Sequence, residues 1–178
     1  MSESSKSKWG YILTYAALLG VSNIILNVIL YVSGYQLAPW AKWLTYPLLI
    51  LWVALGIKSY KEKELNGFIS YGNAFSIGFF ISFIGGLIGL VYMMIFVSYI
   101  DPDYMNKILE ISEQTMVDKG MSESSIEHAL SMQRKFMSPL WFSLLGTLGI
   151  AFSSLIISLL VSLFLKKDDP SFESNFTE

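Results

Sequence analysis

The chain has 178 residues, long enough for one domain or two small ones. Hydrophobic residues make up 53% and charged residues 15%, where a soluble domain carries about 25% charged residues; mean hydropathy is +0.52. That balance excludes a soluble globule, a disordered chain and a collagen, and the lack of any cysteine excludes a disulfide-rich secreted scaffold. The class that remains is an integral membrane protein.

The charges are clustered. Three lie in residues 1–8, six in 9–100, eleven in 101–135 and six in 166–178. Between them run uncharged stretches, and a bilayer core about 30 Å thick is crossed by roughly 20 apolar residues in a helix. The first stretch, from Trp9 to Ala41, predicts a span over 9–33 that ends at a Ser33-Gly34 turn. Lys6 and Lys8 ahead of it resemble a signal peptide's basic region, but the apolar stretch is too long and no A-x-A-like site follows. The second stretch holds only 15 uncharged residues between Lys42 and Lys58. It becomes long enough as a span over 40–58 if Lys42 snorkels to the interface, with Pro47 about one turn inside. The third predicts a span over 70–99, longer than the core requires, so it should tilt, bend or protrude. The fourth covers 138–165, opened by Ser138-Pro139 and closed by Lys166-Lys167. The polar tails 1–7 and 168–178 read as disordered.

The predicted fold is therefore all-α: a single domain over 1–178, a four-helix transmembrane bundle with an extracytoplasmic amphipathic helical hairpin between the third and fourth spans. Four spans put both termini on one side. Lys6, Lys8, Lys58, Lys61, Lys63, Lys166 and Lys167 hug the helix ends there, whereas the segment 101–137 holds seven acids against four bases. The bias of cytoplasmic loops towards Lys and Arg predicts both termini inside and 101–137 outside the cytoplasm. Tyr and Trp residues near the expected boundaries read as interfacial anchors.

In the external segment, Asp101 is expected as a helix N-cap with Pro102 at the first helical position. Apolar Tyr104, Ile108 and Ile111 share one helical face. Gly120 is expected just past that helix's end, and Ser122 or Ser124 as the cap of a second helix, Ser124 having capping-box spacing to Glu127. Helices this short are not stable alone in water, so their apolar faces need cover from each other, from the bilayer interface or from a partner. Met105, Met116, Met121, Met132 and Met137 lack a tight Met-x-x-Met spacing and read as packing rather than copper ligands. His128 is the sole histidine, and with no cysteine it supports no zinc site. No metal or other cofactor is expected.

The uncharged stretches carry no Asp, Glu, Lys, Arg or His, the groups that mark proton relays and ion-coupled carriers. Serine chemistry there lacks an activating base. Their polar groups are amides and hydroxyls. Asn23 and Asn27 share a face of the first span and read as interhelical contacts or, with Asn73, as the lining of a polar pocket. The third span has a small-residue stripe, Gly78, Ser82, Gly85 and Gly89, and the fourth offers Gly146, Gly149, Ser153, Ser154 and Ser158. Small side chains let backbones approach, so the third and fourth spans are expected to pack on these faces; homodimerisation through Gly85 and Gly89 is the alternative.

The strings YGNAFSIGFFIS (71–82), IDPDYMNKILE (100–110), KGMSESSIEHAL (119–130) and MSPLWF (137–142) occur in that order. With them the chain resembles, over nearly its whole length, a family of small four-span inner-membrane proteins of unknown function found chiefly in Bacteroidota. The resemblance implies a bacterial cytoplasmic membrane and a common pattern that includes Tyr71, Gly72, Phe75, Asp101, Pro102, Tyr104, Ser138 and Pro139. It brings no activity, cofactor or catalytic residue.

Three functions are weighed. The first is a non-enzymatic scaffold or accessory subunit that docks on a membrane or periplasmic protein through 101–137. The second is a small oligomeric transporter, channel or lipid-handling protein using the asparagines. The third is an enzyme relying on Asp101, Asp103, Glu110 and Glu113, which solvated helix faces explain better. No basic patch is large enough for nucleic acid. The scaffold reading is the one the sequence favours.

Overall fold

A computed structural model describes residues 7–136 and 139–167. The expectations for Met137, Ser138 and the tails 1–6 and 168–178 lie outside those residues. Among the described residues there are six α-helices and no strand: α1 (Lys8–Val32), α2 (Thr45–Glu64), α3 (Tyr71–Ile95), α4 (Tyr104–Asp118), α5 (Glu123–Phe136) and α6 (Pro139–Leu165). Among the described residues, four helical segments are long and apolar enough to cross a membrane: Lys8–Val32, Ala41–Glu64, Tyr71–Ile100 and Leu144–Leu165.

Local chemistry accounts for the element ends. Gly34 follows α1 with φ 75°; its N–H donates to the Tyr31 carbonyl and the Tyr35 N–H to that of Leu30. This paired C-terminal cap needs a left-handed residue, which glycine adopts without a Cβ clash. A 3-10 turn, Ala41–Leu44, leads into α2, and Pro47 falls in the first turn of α2, where its missing N–H costs nothing. That helix runs past Lys58 to Glu64, because Lys and Glu are good helix formers and Lys58 faces Glu62 one turn on, 3.9 Å away. The third apolar segment ends in a π-helical turn, Phe96–Ile100, closed by the Asp101 N–H on the Phe96 carbonyl.

The chain packs as two compact units, one holding the residues up to Gly89 and from Ile150 on, the other Leu90–Gly149. The core of the first combines Ile12 and Leu19 of α1, Val53 and Ile57 of α2, Ala74, Ile77 and Ile81 of α3, Val161 of α6 and the linker residue Ile69. Large apolar side chains such as Leu13, Val21, Ile25, Leu51 and Leu160 point outward, as they do on helices solvated by lipid. Lipid removes most of the hydrophobic drive between helices, so close backbone approach must hold them. Glycine supplies it. A Cβ on Gly78 would lie 2.9 Å from Ser158 Oγ, 3.1 Å from Val53 and 3.2 Å from Ile57, so α2, α3 and α6 converge there. One on Gly20 would meet Ile88, and one on Gly56 would meet Ile81 and Tyr15.

The second unit holds the end of α3, the π turn, α4, α5 and the start of α6. Ile126 and Leu130 of α5 are buried, and Gln133 Nε2 donates to Ser112 Oγ of α4 at 3.1 Å. Gly120, φ 70°, caps α4 as Gly34 caps α1: its N–H donates to Val117 and that of Met121 to Met116.

Candidate functional site

Three polar groupings stand out in this apolar chain. The first ties one end of the first unit together. Lys8 Nζ donates to Ser76 Oγ at 3.0 Å and approaches Asn73 Oδ1 at 3.4 Å. Tyr11 Oη donates to Glu64 Oε1 at 2.9 Å, and the hydroxyls of Tyr15 and Ser59 lie 2.6 Å apart. Lys61 Nζ donates to the Leu165 carbonyl at 2.9 Å, a cation on the negative end of α6. Ile69 and Lys167 exchange two backbone hydrogen bonds, and Lys167 Nζ stands 5.1 Å from the Phe68 ring. These contacts bring the starts of α1 and α3 to the ends of α2 and α6.

The second grouping lies within the apolar helices and, with Gln36, in the turn after α1. Gln36 Nε2 donates to Asn27 Oδ1 at 3.1 Å, and Trp52 Nε1 to Ser22 Oγ at 3.1 Å. Asn23 Nδ2 donates to the Leu19 carbonyl of its own helix, while its Oδ1 is buried without a partner. Ser82 donates to the Gly78 carbonyl and Ser158 to that of Phe75, at 2.8 and 2.6 Å. Hydroxyls that return their protons to main-chain carbonyls are satisfied rather than activated. Ser154, Ser158 and Ser162 form a buried row on α6, and Ser162 Oγ, like Asn23 Oδ1, is buried without a partner among the described residues.

The third is in the second unit. Lys107 Nζ donates to Asp101 Oδ1 and Oδ2 at 2.9 and 2.8 Å, and Asp101 is buried. The Tyr104 ring meets the buried Phe96 edge-on, centroids 5.6 Å apart. Burial, and then the negative charge of Asp101, raises the Tyr104 hydroxyl above the ordinary tyrosine value of 10.0.

A model of the family described as "Protein of unknown function (DUF4199)" matches residues 14–167. The chain belongs to that family. No characterised protein and no solved structure matches it. The family range includes nearly all of the three groupings, Lys8 and Tyr11 lying ahead of it.

Several site expectations are corrected by the family member's geometry. Asp101 does not cap α4 and Pro102 is not its first residue: the helix starts at Tyr104, with Asp103 before it and no side-chain cap bond. The Asp101 carboxylate takes the ammonium of Lys107 instead, a charge-assisted bond that outweighs a neutral N–H donor. Ser124 lies inside α5 rather than before it. Ser122 immediately precedes α5, and its hydroxyl bonds that of Ser125 at 2.8 Å. The glycine stripe serves two neighbours rather than one. Gly78 faces Ser158 of α6, but Gly85 faces Leu19 and the Ala16 carbonyl of α1. Gly89 and Gly149 have nothing within 4 Å of a built Cβ, whereas Gly146 approaches Leu90. A stripe spaced 4, 3, 4 drifts around the helix, so its ends meet different partners. Asn73 joins the Lys8 contact and is not brought to Asn23 and Asn27; Ser153 is half-buried beside the serine row.

Ser162, Gly20, Gly56 and Gly86, where a Cβ would meet the Ile150 side chain, were missed by sequence reasoning. For Ser162 the signal was present, since it continues the four-residue spacing of Ser154 and Ser158.

Proposed function

We propose that the protein is a non-enzymatic scaffold or accessory subunit of a bacterial cytoplasmic membrane, with both termini inside and the α4–α5 segment outside. The observation that carries this reading is apolar exposure on helices unsuited to spanning. Ile111, Val117, Met121, Met132 and Phe136 are all exposed on or beside α4 and α5, and neither helix is among the four apolar segments. Apolar side chains outside the bilayer core need cover, and adaptable methionines suit a protein surface that fits against another. The satisfied hydroxyls and the close glycine contacts of the bundle support a structural role for the spans.

Affinity purification of the full chain in mild detergent tests the reading. A partner present in stoichiometric amount and lost from Ile111→Ser/Val117→Ser supports it. A chain that repeatedly purifies alone contradicts it.

One observation favours a second reading, a small transporter or lipid-handling protein: the buried, unpartnered Asn23 Oδ1 is an acceptor within a span.

A further inference from the structure

The lysine-bearing end of the first unit carries more charge than its own contacts neutralise. Among the described residues, Lys8, Lys58, Lys61, Lys63, Lys166 and Lys167 stand there against Glu62 and Glu64, a net of +4. The acids are partly engaged: Glu62 faces Lys58, and Glu64 accepts from Tyr11. The lysines that hold the helix ends together do so on neutral groups. Lys8 uses a serine hydroxyl and an asparagine oxygen, Lys61 a main-chain carbonyl and Lys167 an aromatic face. Each ammonium keeps donors for an anion. Lys63, Lys166 and Lys167 are exposed, and so is Trp9, whose ring packs on Phe80. Cations and an indole on the rim of an apolar helix bundle occupy the level at which lipid phosphates lie.

The geometry points to this rim as a binding surface for anionic phospholipids, with Lys8, Lys63, Lys166 and Lys167 as the phosphate contacts. Charge complementarity selects the ligand: a zwitterionic headgroup brings no net charge to these exposed ammonium groups, and an anionic one does. The position selects a bilayer lipid over a free anion, because Trp9, Phe68 and the apolar helix faces adjoin the same lysines. The sequence beyond Lys167 adds four acids, Asp168, Asp169, Glu173 and Glu178, so the test is made on the full chain with those acids present.

The test reconstitutes the full chain in nanodiscs of equimolar phosphatidylglycerol and phosphatidylcholine, then reads the ratio of the two lipids still bound after transfer to detergent. Wild type retains phosphatidylglycerol in excess. Lys8→Gln/Lys63→Gln/Lys166→Gln/Lys167→Gln loses that excess by about fivefold or more, the same four positions as Arg keep it, and Lys42→Gln/Lys119→Gln/Arg134→Gln/Lys135→Gln, an equal charge change elsewhere, leaves it intact. On wild type alone, raising salt to about 0.5 M also diminishes the excess by screening. The inference is overturned by an unenriched wild type. It is equally overturned by an excess that ignores salt or the rim substitutions, by an equal loss in the control, or by inorganic phosphate stripping the lipid at matched ionic strength, the mark of a free-phosphate site. Failure here leaves the scaffold reading standing, since that reading rests on α4 and α5.

Discussion

Lys107 reaches both carboxylate oxygens of Asp101, at 2.9 and 2.8 Å, just where the third apolar segment gives way to α4. The two partners differ in exposure: the Asp101 side chain is 8% accessible and that of Lys107 43%. Removing either is therefore not equivalent. Lys107→Met strands a buried carboxylate, whereas Asp101→Asn leaves an ammonium that turns to water. We expect Lys107→Met to cost about 2–3 kcal/mol and Asp101→Asn less, since a stranded buried ion carries the full desolvation penalty. Thermal unfolding of both variants in detergent checks the order; equal losses would contradict it.

The same carboxylate acts on Tyr104. Burial and then the Asp101 charge raise its pKa above 10.0 in the folded chain. Above pH 10 the unfolded state loses the phenolic proton while the folded state keeps it, so the folded state binds more protons and stability falls as pH rises. The contribution is complete below pH 10 and is lost as pH climbs through the raised folded value. Difference titration of tyrosinate absorbance against Tyr104→Phe should place this group above the free value, and Asp101→Asn should bring it down. A Tyr104 titration unmoved by Asp101→Asn would show that the charge has no part in the shift.

Glycine substitutions should separate two residues that sequence alone pairs. At Gly85 a Cβ would lie 2.7 Å from Leu19 Cδ2 and 3.1 Å from the Ala16 carbonyl, and main chain cannot step aside cheaply. Gly85→Ala should cost about 1–3 kcal/mol through overpacking. At Gly89 a Cβ meets nothing within 4 Å, so Gly89→Ala should be neutral or stabilising by up to about 1 kcal/mol from helix propensity. Melting temperatures in one detergent decide. Should a homodimer form through this face, Gly89→Leu would abolish its cross-link while the monomer stays folded.

Asn23 separates the two functional readings. Its Oδ1 is buried without a partner, and its Nδ2 bonds only its own helix. Asn23→Leu removes an unsatisfied acceptor, so it should leave stability unchanged or raise it by about 1 kcal/mol. Under the scaffold reading it leaves partner recovery intact. A loss of flux or lipid movement in liposomes with the fold retained would favour the transporter reading instead.

The spans were legible because the charges delimit them, but the second one shows the limit of that ruler. An expectation that stops at Lys58 stops at a charge, whereas α2 continues to Glu64 because Lys and Glu propagate a helix as well as apolar residues do. The cap at Asp101 was misread for a related reason. Local spacing offered an N-cap, and a lysine six residues on offered the stronger bond. Gly34 and Gly120 were readable because a left-handed turn demands glycine within the local sequence. The contacts of Lys8 with Ser76 and of Lys61 with Leu165 span 68 and 104 residues, and no local pattern announces them. The π turn over 96–100 likewise has no marker in its residues.

The central claim is that α4 and α5 carry a protein-docking face outside the cytoplasm, and a photo-crosslinking residue at Val117, 52% exposed on α4, tests it most directly. The chain has no cysteine, so Thr115→Cys reports the side of the membrane in the same cells by labelling with an impermeant maleimide. The account predicts labelling of Thr115→Cys before lysis, and one discrete protein adduct at position 117 that disappears with Ile111→Ser. Labelling only after lysis, or adducts with lipid alone, would contradict it.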